Sequence, residues 1–108
     1  MDLQESRQEI DRIDREIIRL YQERMDVMDG VAEYKIDHGM KVYDRDREQK
    51  KIALARSMVR GEFNQHGVAE LFQQIMTTSR KKQYRIMAER GKFYRMPFIE
   101  VEKIRTEG

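Results

Sequence analysis

The stretch LQESRQEIDRIDREIIRLYQERMDVMDGVAEYKIDH, residues 3–38, reads as one uninterrupted amphipathic helix, and it decides the fold class. Its apolar seam runs Leu3, Ile10, Ile13, Ile17, Leu20, Val27, Val31 and Tyr34, at spacings that return side chains to one helix face. Arg24 breaks that seam, because it holds the heptad position taken elsewhere by Leu3, Ile10, Ile17 and Val31. Lys35 lies eleven residues further on and returns to nearly the same face, since that many steps of 100° leave only ~20° of rotation. Met28 and Val31 lie between them and complete an i, i+4, i+7, i+11 row. Two cations therefore bracket an apolar floor on the side that should be buried. A buried cation costs several kcal/mol unless an anion meets it. This face calls for an anionic partner.

Bulk composition narrows the options. A chain of 108 residues suits one domain, or one domain with a tail. Cysteine is absent, which excludes a disulfide framework, a thiol nucleophile and a thiolate metal site. His38 and His66 stand outside any close cluster of histidine and carboxylate, so neither a metal nor a cofactor is expected. Charged residues make up 39% of the chain, yet the net charge is only +2 and the signs are interleaved. That pattern suits a solvated helical surface better than a nucleic-acid stripe, which needs clustered basic residues. The opening MDLQESRQEIDRID is too polar for a signal peptide, and no apolar run approaches membrane-spanning length. The expectation is a cytoplasmic protein that binds neither nucleic acid nor membrane.

Punctuation along the chain predicts an all-α fold with helices over 3–38, 45–60 and 67–90. Gly39, Gly61 and Gly91 follow His38, Arg60 and Arg90, each pair suiting a helix C-terminus. Asp2 with Glu5 can cap the first helix, Asp44 the second, and Asn64 or Gly67 the third. The first helix would be ~54 Å long at 1.5 Å per residue, whereas a compact domain of this size has a radius of gyration of ~13 Å. Two shorter helices cannot cover such a rod, so an intertwined homodimer is expected, with the long helix packing on its twofold mate. Gly30 costs about 1 kcal/mol inside a helix and is tolerable where a neighbouring backbone approaches. Residues 1–90 form the expected domain, and 91–108 a tail or linker. Within the latter, FIEVEKI changes to short alternation and would suit a junction to a further domain.

The third helix repeats the anomaly of the first. Its apolar row, Val68, Leu71, Phe72, Ile75 and Met76, resumes at Ile86 and Met87, with Ser79 and Gln83 between. A lone core serine usually bonds back to its own helix. A buried glutamine amide has more bonds to satisfy, so this pair faces either a polar cavity or ordinary core. In VYDRDRE, Asp44 and Glu48 are four apart on one face beside Arg47. Alone, that reads as a cap and a solvated first turn.

Taken in order, these residues make a pattern: R-x16-R-x10-K, then D-x2-R-E, then S-x3-Q. The pieces are SRQEID around Arg7, QERMDV around Arg24, VAEYKID around Lys35, VYDRDREQ around Asp44, Arg47 and Glu48, and LFQQIMTTSRKKQ around Ser79 and Gln83. The set resembles the all-helical class of chorismate mutases over about residues 3–90. Each piece is weak alone, and the ordered set is specific. The resemblance implies an intertwined helical homodimer that converts chorismate to prephenate by a Claisen rearrangement, in phenylalanine and tyrosine biosynthesis. It further implies that Arg7 and Arg24 clamp the two substrate carboxylates, and that Lys35 and Gln83 bond the ether oxygen. Glu48 would hold the ring hydroxyl, helped by backbone near Asp44, while Arg47 and Ser79 complete the wall.

The residues themselves agree with that chemistry. The rearrangement requires a dianion held in a near-attack shape and donors aimed at the oxygen that gains charge. Arginine forks suit carboxylates, and lysine suits a single oxygen. Arg7 lies ~25 Å along the helix from Arg24 and ~100° round its axis, too far for one small substrate to touch both. If Arg7 belongs to the site, the other subunit supplies it. Other readings stay open: pyruvate removal from isochorismate on the same scaffold, a non-catalytic helical dimerisation module, and, weakest, a basic nucleic-acid binder.

Overall fold

The structure is a computed structural model that describes residues 2–91. The expectations for FIEVEKI and the rest of 92–108 lie outside the described residues. Three helices follow in order: α1 (Leu3–Asp37), α2 (Arg45–Ser57) and α3 (Glu62–Glu89). Among the described residues there is no strand, and no helix is long and apolar enough to cross a membrane.

Each end of α1 follows from its sequence. The Asp2 carboxylate accepts from the Glu5 amide at 2.8 Å, satisfying one orphan donor of the first turn. At the other end Gly39, at φ 62°, turns the chain out of the helix after His38. Along the exposed first half, Arg12 pairs with Glu9, and Arg19 with Glu16 and Glu23. Neighbours three and four apart support a helix locally where tertiary contacts are lacking.

Among the described residues they are lacking over most of its length. Met25 and Ala32 are the buried residues of α1, both in its C-terminal half. The seam that should be covered is open: Ile10 is 53% exposed, Ile17 54% and Leu20 50%. The molecule measures 56 × 26 × 23 Å, with a radius of gyration of 17.1 Å. A compact domain of 100 residues has about 13 Å. Half of α1 overhangs the body. Among the described residues no neighbouring backbone approaches Gly30, since a Cβ there would meet nothing within 4 Å.

Helix α3 is the centrepiece, packing against both α1 and α2. A small core forms where the loop after α1 folds back: Val42, Tyr84 and Met87 are buried together, with Ile36 against them. Of the α3 core row, Leu71 is 51% exposed, Val68, Phe72 and Ile75 are half-buried, and Met76, Ile86 and Met87 are buried.

The α2–α3 junction departs from the expectation. Helix α2 stops at Ser57 with Met58 as its C-cap, and α3 starts at Glu62 with Gly61 (φ 85°) before it. Gly61 thus introduces α3 instead of terminating α2. Asn64 and Gly67 lie inside α3 and do not cap it. The Asn64 side chain donates back to the Arg60 carbonyl at 3.0 Å, tying the turn to the first turn of the helix.

Candidate active site

The interrupted faces of α1 and α3 meet. Arg24, Met28, Val31 and Lys35 present their row toward Met76, Ser79, Arg80 and Gln83, and the start of α2 closes the space with Asp44, Arg47 and Glu48. Between them is a cavity of about 140 Å³, roughly ten times the space of ~10–15 Å³ that a single water needs. This is room for a ligand, beyond a packing fault.

Of the eight residues singled out from the sequence, seven line this cavity: Arg24, Lys35, Asp44, Arg47, Glu48, Ser79 and Gln83. Arg7 does not, being exposed on the overhanging half of α1. Arg80 and Lys51 line it as well and were not anticipated. With them, five cations face two carboxylates, an excess of three positive charges.

Local bonds explain how the cations are held. The Arg24 guanidinium donates through Nη1 to Ser79 Oγ. Ser79 in turn donates to the Ile75 carbonyl at 2.8 Å, so both the helix-bonding and the cavity-facing readings of this serine hold. Lys35 Nζ donates to the Val42 carbonyl at 2.7 Å. The loop that buries Val42 therefore also aims the ammonium, and a lysine carries three protons to give. Asp44 caps α2, its carboxylate accepting from the Arg47 amide at 3.1 Å. That bond fixes where α2 begins, and so where Arg47 and Glu48 project.

Gln83 is 5% exposed. Its amide Nε2 donates to the Ser79 carbonyl at 3.4 Å and approaches Met28 Sδ at 3.7 Å. Both are long, and Oε1 is buried without a hydrogen-bond partner. A buried amide left this poorly satisfied costs free energy.

The electrostatics point the same way. Burial lowers the pKa of Arg24, the like charge of Arg47 lowers it further, and Glu48 offsets part of this. The cavity therefore disfavours the charge of Arg24, and an anion entering it would reverse that. Among the described residues no cluster of histidine and carboxylate could hold a metal ion.

Residues 6–84 match the family described as chorismate mutase type II. The chain is also similar to a bifunctional chorismate mutase/prephenate dehydratase of Aquifex aeolicus (strain VF5), at 32% identity over 80 residues. That alignment covers 70% of this chain and 22% of the length of the relative. No solved structure matches the chain.

Proposed function

This chain belongs to the chorismate mutase type II family, and we propose that its cavity rearranges chorismate to prephenate as a step of aromatic amino acid biosynthesis. The observation that carries this reading is the convergence of Arg24, Lys35, Arg47, Glu48, Ser79 and Gln83 from three helices onto one cationic cavity. The reaction breaks the ether C–O bond and forms a C–C bond within one molecule. It needs no nucleophile and no electron carrier. The enzyme must fold the dianion so that the reacting carbons meet, and must stabilise negative charge gathering on the ether oxygen.

In this reading Arg24 binds one carboxylate, and Arg47 and Ser79 complete that wall. Lys35 and Gln83 donate to the ether oxygen, the lysine with a proton not given to Val42 and the glutamine with its second amide hydrogen. Glu48 accepts from the ring hydroxyl, and Asp44 sets the backbone beside it.

The second carboxylate falls to Arg7 of the partner subunit. Two features support a homodimer: the exposed apolar seam of α1, and the distance of Arg7 from the cavity on a straight helix. Large uncovered apolar surface marks an interaction site, and a twofold mate offers the same seam.

The test is to follow substrate loss and product formation by purified protein with chorismate and, separately, isochorismate. Conversion of chorismate to prephenate is the expected result. Release of pyruvate from isochorismate alone would favour the lyase reading, and inertness toward both would favour a non-catalytic dimer.

A further inference from the structure

Arg80 was not singled out from the sequence, yet it is a cation of the cavity held by several contacts. Its side chain is only 12% exposed and pairs through Nη1 with Glu48 Oε1, itself on a side chain 20% exposed. Nη2 reaches Thr77 Oγ1 at 3.3 Å, and the guanidinium lies over the Tyr43 ring, 4.9 Å from its centroid. These anchors on one planar group fix its position, and a fixed cation fixes the carboxylate it holds.

Glu48 has other cations within electrostatic reach. Arg24 feels both the like charge of Arg47 and the opposite charge of Glu48. A mobile carboxylate at the start of α2 would close onto those arginines and neutralise the charges meant for the ligand. Instead the pair sits between this cavity and a second one, between α2 and α3, that Glu48 and Arg80 also line.

We propose that Arg80 is a positioning residue: it holds Oε1 of Glu48, leaves Oε2 for a ligand hydroxyl, and keeps that carboxylate off Arg24 and Arg47. This rests on the mutase reading above and assigns Arg80 no contact with substrate.

A double-mutant cycle tests it, with kcat/KM for chorismate measured on the parent, Arg80→Met, Glu48→Gln and the double variant. The Glu48→Gln side chain keeps an acceptor oxygen but is no longer drawn to the arginines. We expect Arg80→Met to lose about 10-fold or more alone and less than about 2-fold in the Glu48→Gln background, as for residues coupled in one network. Equal losses in both backgrounds would show a merely structural role and overturn the inference, as would an unaffected Arg80→Met. If Arg80→Met does not fold, Arg80→Lys, which keeps a charge but loses the fork, enters the same cycle with the same criterion. Where turnover of a Glu48→Gln protein falls below detection, calorimetric affinity for prephenate, the product, which is not consumed during the titration, closes the cycle on the same terms. An active parent separates the two claims, because failure of the cycle then counts against Arg80 alone. An inactive parent removes both.

Discussion

Arg24 on α1 donates its hydrogen bond to Ser79 on α3, 55 positions away in sequence, at the cavity wall. The bond joins the two helices at the point where each interrupts its own apolar row. It also holds an arginine in a place the protein would otherwise avoid, since burial and Arg47 both disfavour its charge.

That cost leads to the first expectation. Folding lowers the Arg24 pKa, so its charged form is penalised in the folded state at every pH where arginine is protonated, including neutrality. Arg24→Met should therefore leave the melting temperature unchanged or raised, while kcat/KM falls by ~10²-fold or more, the scale of losing a charged ligand contact. Calorimetry beside steady-state kinetics checks both halves. A large drop in melting temperature would mark Arg24 as structural.

Lys35 is held on the Val42 carbonyl and is assigned to the oxygen that gains charge. For Lys35→Ala we expect a loss of at least ~10²-fold in kcat, as for removal of one oxyanion donor. A raised KM with unchanged kcat would mean uniform binding instead.

In the proposed mechanism Gln83 is the other donor. An amide donates at any ordinary pH, whereas a carboxyl donates only when protonated. Gln83→Glu should therefore work best in acid and lose activity as pH rises through the titration of the new group. A pH–rate profile parallel to that of the parent would contradict the role.

The overhang of α1 predicts its own failure mode. Ile17 is 54% exposed in the single chain, and a charge there would be buried in a twofold interface. Ile17→Glu should shift the protein from dimer to monomer in light scattering and abolish activity with it. An unchanged mass would place the interface elsewhere.

Much of this was legible in the sequence, for physical reasons that also explain the misses. The α1 row 24, 28, 31, 35 is visible because cations at apolar register stand out. Asp2 and Asp44 were readable as caps, since their side chains do what a sequence-local rule describes. The junction at Gly61 was not, because a glycine at positive φ looks the same in sequence whether it ends one helix or precedes the next. Arg80 escaped because SRKK reads as a solvated basic run. The signal was present all the same: Met76, Arg80, Gln83 and Met87 repeat on α3 the i, i+4, i+7, i+11 spacing that exposed Arg24 and Lys35. What no single helix could reveal is which cation Glu48 would choose, since that depends on how α2 packs on α3.

The most direct measurement is complementation between two site variants, Arg7→Ala and Arg24→Ala, each expected to be nearly inactive alone. If each cavity takes Arg24 from one chain and Arg7 from its mate, a mixed dimer contains one intact site and one doubly defective one. Co-refolding the two in equal amounts should then restore prephenate formation to about a quarter of the parent rate, the statistical share for a twofold dimer. A mixture no more active than the two variants separately would contradict a catalytic cavity shared between subunits.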